Sequence, residues 1–171
     1  QNRTIVISAL ILLGMVGSIG VLWQQKKYRN HKKYNRTENV SITNTKYIFG
    51  LDISHHQGKI DWNKVTESHH PIQFIFVKSS QGAKFKDPEF DTNWENIKKL
   101  GLVRGAYHFY SPGVNSTEQF EHFSSVVNLE DGDFPPVLDI EKVGSLGKEN
   151  LVEGAKQWLK LAEEKYGVKP I

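Results

Sequence analysis

The chain has 171 residues and no cysteine, which excludes disulfides, thiolate metal sites and the acylated cysteine of a lipoprotein. Its formal net charge of +3 at pH 7 is unevenly spread: residues 1–46 hold Arg3, Lys26, Lys27, Arg29, Lys32, Lys33, Arg36 and Lys46 against Glu38 alone, a balance of +7 that leaves −4 for residues 47–171. The basic character belongs to the N-terminal part, so a nucleic-acid-binding fold, which needs a basic face on its folded domain, loses its main support.

Residues 1–3 form a short stub. From Ile5 to Trp23 no charged residue occurs, and this apolar run at about 1.5 Å per residue spans roughly the ~30 Å hydrocarbon core, with Trp23 at the interface. Residues 4–23 are therefore expected to be a transmembrane anchor. A cleaved signal peptide has a shorter apolar core and a small-x-small cleavage site, which Trp23-Gln24-Gln25-Lys26 does not offer. Residues 24–46, rich in Lys, Asn, Tyr and Thr, read as a basic, solvated linker. The cluster from Lys26 to Arg36 would by the positive-inside rule keep this side in the cytoplasm, opposite to the side the functional reading below requires, unless basic residues precede Gln1.

After the linker, strand and helix patterns alternate. Tyr47 to Ile53 reads as a short strand, and Asp61 as the N-cap of a helix through Val65. Pro71 to Ser80 has the apolar density of a buried strand. Asp87-Pro88 opens a helix with Phe90, Trp94, Ile97 and Leu100 at helical spacing, closed by Gly101. Leu102 to Tyr110 reads as a third strand, Asn115 to Leu129 as a helix with the stripe Phe120, Phe123 and Val127, and Phe134 to Glu141 as a fourth strand. Gly147 to Tyr166 carries Leu151, Ala155, Trp158, Leu159 and Ala162 on a last helix, ended by Gly167. This alternation predicts a parallel sheet with helical crossovers.

The polar residues sit at matching places in the repeat. Asp52 ends the first strand, Ser79 and Ser80 the second, Tyr107 and His108 the third, and Asp139 and Glu141 the fourth. In an extended strand Asp139 and Glu141 project to one side with Cα atoms roughly 7 Å apart. Two carboxyls that close push at least one pKa up, so one can hold a proton while the other stays ionised, the division of labour of glycoside hydrolysis. Intervals of about 26 to 32 residues between these positions match a (β/α) barrel, whose active site lies at the carboxyl ends of the strands. A doubly wound open sheet is the alternative, but no Gly-rich phosphate loop follows the first strand.

Gly50-Leu51-Asp52-Ile53-Ser54-His55-His56-Gln57-Gly58, Gly105-Ala106-Tyr107-His108-Phe109-Tyr110 and Pro136-Val137-Leu138-Asp139-Ile140-Glu141 together resemble glycoside hydrolase family 25, the Chalaropsis-type lysozymes or N-acetylmuramidases. The resemblance implies an α/β fold, a modified TIM-like barrel, of which residues 47–171 form the N-terminal portion of about four β/α units. It implies hydrolysis of the β-1,4 bond between N-acetylmuramic acid and N-acetylglucosamine in peptidoglycan, with no metal or cofactor. By the same resemblance Glu141 is the proton donor, Asp139 and Asp52 are the other catalytic carboxylates, and Tyr107 contacts sugar or the developing cation. Tyr107, His108 and Ser79 are the candidate substrate contacts, although His108 also reads as a buried hydrogen-bonding residue. Asp139 as nucleophile and attack by the substrate's own 2-acetamido group both remain open.

The second strand departs from the family pattern, with Lys78-Ser79-Ser80-Gln81-Gly82 carrying Gln81 where an acid is usual. The chain also stops at Pro170-Ile171, where a fifth strand is expected, so a fragment of a longer protein is expected, poorly stable alone because its open edge exposes apolar sheet.

Two rival functions use the same residues. A metal-dependent polysaccharide deacetylase would need His55 and His56 as ligands, yet adjacent histidines diverge in an extended loop and no His-x-x-x-His spacing occurs. A membrane-tethered peptidoglycan-binding module would not need paired acids on one strand face. The expected setting is the cell envelope, a monomer anchored by the N-terminal helix with its catalytic domain on the extracytoplasmic side and a peptidoglycan strand as partner.

Overall fold

The computed structural model describes residues 47–171, so the expected stub, anchor and linker lie outside the described residues. In chain order the elements are β1 (Phe49–Ile53), α1 (Trp62–Thr66), β2 (Ile72–Gln81), β3 (Phe85–Lys86), α2 (Phe90–Lys99), β4 (Val103–Phe109), α3 (Ser116–Val126), β5 (Val137–Asp139) and α4 (Gly147–Tyr166). Strands β1, β2, β4 and β5 lie side by side in that order, all parallel, and β3 adds to the end of β2 antiparallel. Beyond β5 the pairing continues, because Leu138 N–H donates to the Ile171 carbonyl and Ile171 N–H to the Pro136 carbonyl, each at 2.9 Å. Among the described residues no helix is long and apolar enough to cross a membrane.

Local chemistry accounts for most boundaries. The Asp61 side chain accepts from the Asn63 and Lys64 N–H groups, and Asn115 does the same for Thr117 and Glu118, satisfying donors that open each helix. Gly167 closes α4 in the left-handed region at φ 68, its N–H donating to the Glu163 carbonyl. Three boundaries differ from expectation. Regular pairing of β5 starts only at Val137, since Pro135 and Pro136 have no N–H to give a ladder. Helix α2 starts at Phe90, after a turn in which Phe90 N–H donates to the Asp87 carbonyl. Helix α3 ends at Val126 because Val127 is extended.

The sheet has two different faces. Ile53, Ile75, Val77 and Ala106 point toward the helices and join Phe90, Trp94, Ile97, Phe120, Phe123, Trp158 and Ala162 in one core. On the other face the Phe74 ring lies across Gly50 of β1 and the Phe76 ring across Gly105 of β4; a Cβ at either glycine would overlap the ring. Phe134 packs on Phe76 with centroids 5.1 Å apart. Alternation along each strand then carries this second face up to Asp52, Lys78 and Tyr107.

His108, with no exposed surface, is part of the helix-side core. Its ring stacks on Trp158 at 5.7 Å and meets the Phe123 edge at 6.0 Å. Gln119 fixes its tautomer: Gln119 Nε2 donates to the Ser111 and Val114 carbonyls, so Oε1 is the atom that faces His108 Nε2 at 3.2 Å and must accept. Nε2 thus carries the hydrogen, and Nδ1, 2.8 Å from Ser80 Oγ, accepts. Burial, partly opposed by the Gln119 hydrogen bond, pushes the His108 pKa down to about 4 from 6.5. The unfolded chain therefore takes up a proton near 6.5 that the folded chain refuses until about 4, so the stability present above the unfolded value is lost as pH falls through this window. Urea unfolding at successive pH values is expected to show a loss on the order of 3 kcal/mol from this residue, absent from the His108→Gln variant.

Candidate active site

The site is shaped by one extra residue in β2. Lys78 pairs with Tyr107 and Ser80 with His108, so two residues of β4 are matched by three of β2 and Ser79 is left in a bulge. Before the bulge, even-numbered residues of β2 face away from the helices; after it the parity reverses, so Ser80 turns to His108 in the core and Gln81 to the open face. Lys78 and Gln81 thereby share a face, and Lys78 Nζ donates to Gln81 Oε1 at 2.8 Å. Lys78 is 5% exposed, and its ammonium lies 4.5 Å from the Phe109 ring centroid and 5.8 Å from that of Phe85.

Asp139 lies within electrostatic reach of this ammonium and of the other two expected acids. Asp52 ends β1 on the same face, Asp139 ends β5 half-buried, and Glu141 follows two residues later, exposed. Partial burial raises the Asp52 pKa, the Tyr107 hydrogen bond opposes this, and the Glu141 charge adds to it. Burial also raises Asp139, reinforced by Glu141 and Asp52 and countered by Lys78. Tyr107, in hydrogen-bonding contact with Asp52, has its phenol pushed up by burial and then by the Asp52 charge, so it stays a neutral donor. Asp52, Tyr107, Asp139 and Glu141 thus form one electrostatic unit drawn from β1, β4 and the end of β5.

Two expected substrate contacts do not join it. Ser79 has no exposed surface; as the bulge residue its hydroxyl donates to the Tyr107 carbonyl at 2.8 Å, which corrects its assignment to substrate binding. His108 is corrected for the same reason, both ring nitrogens being committed in the core. Two groups were missed. Lys78 was legible as a charge directly following the apolar run Phe74 to Val77. Asp87, expected only to open a helix, is 1% exposed and holds the loop after β1: its Oδ2 accepts from His55 Nδ1 at 2.7 Å and from the His55 backbone N–H at 3.0 Å.

A model of glycosyl hydrolases family 25 matches residues 51–171. The chain belongs to this family. It is 42% identical over 127 residues to the uncharacterized protein YegX of Escherichia coli K12, covering 72% of this chain and 47% of YegX. It is 36% identical over 106 residues to lysozyme M1 of Streptomyces globisporus, covering 60% of this chain and 35% of that protein. Among solved structures, a family 25 glycosyl hydrolase from Bacillus anthracis superposes with a TM-score of 0.67 at 30% identity, over 72% of this chain and 58% of that one. The chain spans about half the length, or less, of these curated relatives.

The raised carboxylates make a stability prediction. A carboxyl with a higher pKa in the folded state binds its proton more tightly there, so stability falls as pH rises from the unfolded value of 3.8 through the folded one. In this family 25 chain Asp139→Asn is expected to raise the melting temperature by a few degrees at about pH 7 and to give no such gain at about pH 3, as read by calorimetry.

Proposed function

We propose that this family 25 chain supplies the catalytic mouth of a muramidase that hydrolyses the β-1,4 bond between N-acetylmuramic acid and N-acetylglucosamine in peptidoglycan. The observation that carries this reading is the meeting of Asp52, Asp139 and Glu141 at the carboxyl ends of parallel strands in a chain of this family. Glu141 is the proton donor to the leaving oxygen. As the glycosidic bond lengthens, positive charge develops on the sugar, and the anionic carboxylates beside it stabilise the transition state. Lys78 opposes the effect of burial at Asp139 and so favours the charged form. Tyr107, its phenol held neutral, orients Asp52 and borders the sugar.

The architecture is read as part of a (β/α) barrel. Supporting this are the parallel order of β1, β2, β4 and β5, core packing of the helices on one face, and pairing that runs on from β5 to Ile171. The uncharged run of residues 4–23 supports an uncleaved anchor, with the catalytic domain on the extracytoplasmic side of the cell envelope, where the substrate is, and a monomer as the working form. The deacetylase reading loses ground because His55 Nδ1 is committed to Asp87 and both His108 nitrogens are committed in the core. A pure binding module would have no use for Asp52 and Asp139 held with raised proton affinity beside Glu141.

The test is digestion of purified peptidoglycan, followed by mass spectrometry of borohydride-reduced products. Wild type is expected to yield fragments ending in reduced N-acetylmuramic acid, and Glu141→Gln to lower their rate of appearance by about 100-fold or more. Deacetylated but uncut glycan, or binding without products, would replace this reading with one of its rivals.

A further inference from the structure

The loops that follow β4 and β5 enclose a groove of about 410 Å³ that no assignment above uses, a volume within the range of small-ligand sites. Buried Tyr110 lies at its base; Val114 and Asn115 line it from the loop after β4, and Val143, Leu146 and Asn150 from the loop after β5 and the start of α4. Two residues on from His108, the Tyr110 side chain shares the helix side of β4, so the groove is separate from the open face that carries Asp52, Lys78 and Tyr107. It nevertheless adjoins the acids. Tyr110 N–H donates to the Asp139 carbonyl at 2.8 Å, and Val143 follows Glu141 by two residues, at most about 7 Å of chain.

Buried contacts hold both walls. Gln119, with no exposed surface, ties down the loop after β4: its Oε1 accepts from the Ser111 N–H at 2.8 Å, and its Nε2 donates to the Ser111 and Val114 carbonyls, each at 3.1 Å. The Tyr110 hydroxyl lies 2.7 Å from Ser116 Oγ and packs so closely on Gly154 of α4 that a Cβ there would overlap it. Gly144 likewise sits on the Pro112 ring with no room for a Cβ, which joins the two loops to each other. The groove is therefore formed before any ligand arrives, and little ordering is left for binding to accomplish.

Its lining selects the ligand class. Asn115 Oδ1 accepts from the Thr117 and Glu118 N–H groups, so its Nδ2 remains as a donor; Asn150 Nδ2 donates to the Leu146 carbonyl, so its Oδ1 remains as an acceptor. Neither remaining atom has a partner among the described residues. One free donor and one free acceptor on opposite walls match the C=O and N–H of a peptide unit. Between them stand exposed aliphatic side chains, Val114, Val143 and Leu146, suited to small methyl-bearing side chains, and no exposed aromatic ring of the kind on which a pyranose stacks. In peptidoglycan each N-acetylmuramic acid bears a short peptide on its lactyl ether. We propose that this groove binds that peptide, amide against Asn115 and Asn150, when the sugar that bears it lies at Glu141. The inference rests on the reading of the site as glycan-cleaving and makes the peptide part of what is recognised.

The experiment uses soluble, uncross-linked glycan strands carrying their peptides, and the same strands after an amidase has removed them. Binding of both to the full chain is measured by calorimetry in the Glu141→Gln background, so that neither probe turns over. The parent is expected to bind the peptide-bearing strand about fivefold to tenfold more tightly. Leu146→Asp and Val143→Asp, at positions 57% and 51% exposed where folding tolerates a charge, are expected to abolish that preference and to leave binding of the bare strand unchanged. Asn150→Ala is expected to reduce it. Equal affinity of the parent for the two strands overturns the proposal, as does a preference that survives both aspartate variants. Digestion of the two strands by the chain with Glu141 intact separates the ideas: peptide-dependent binding without cleavage keeps the groove and removes the hydrolase reading, whereas cleavage with peptide-independent binding removes the groove alone.

Discussion

The bulge at Ser79 is the constraint on which the site depends. A regular β2 would turn Ser80 to the open face and Gln81 into the core, because side-chain direction alternates strictly. The extra residue reverses this at the strand end. It sends the Ser80 hydroxyl to His108, brings Gln81 round to Lys78, and leaves the Ser79 hydroxyl to be satisfied by the Tyr107 carbonyl. The same slip aligns Gln81 with Phe109 and, through it, with Asp139. One inserted residue therefore separates a polar core network from a charged mouth within four positions of one strand.

The mouth is electrostatically unequal by design of its parts. Of the three carboxylates, Asp139 feels a buried ammonium, Lys78, whose hydrogen-bonding partner, Gln81, is neutral. An acid at position 81 would compete for that charge; an amide accepts one hydrogen bond and leaves the field of Lys78 directed at Asp139. The aromatic rings around the ammonium act similarly, since they shield it from water without neutralising it. Asp52 has a different control, the phenol of Tyr107, which donates to it and is itself kept from ionising.

Much of this was legible in the sequence because parallel β/α units repeat. The apolar runs marked the strands, the spacing put Asp52, Tyr107, Asp139 and Glu141 at equivalent ends, and the cap at Asp61 followed from side-chain chemistry alone. What was not legible depended on parity and on distant pairing. Ser79 and His108 were assigned to the site because strand ends were treated as regular, and no local pattern announces a bulge. Strand β3 is too short for periodicity to detect. The role of Asp87 requires His55, 32 positions earlier, which a linear reading sees only as a helix opening.

The glycines beneath the site have a consequence for its motion. Gly50 and Gly105 each lie two residues before a functional group on the same face, Asp52 and Tyr107, and each is covered by a phenylalanine from β2. Their role is room rather than freedom of the backbone. With a ring covering the neighbouring strand, the amides of the ladder there are expected to exchange their hydrogens slowly. The reactive groups thus stand on closely packed sheet, the part of a fold that opens least readily.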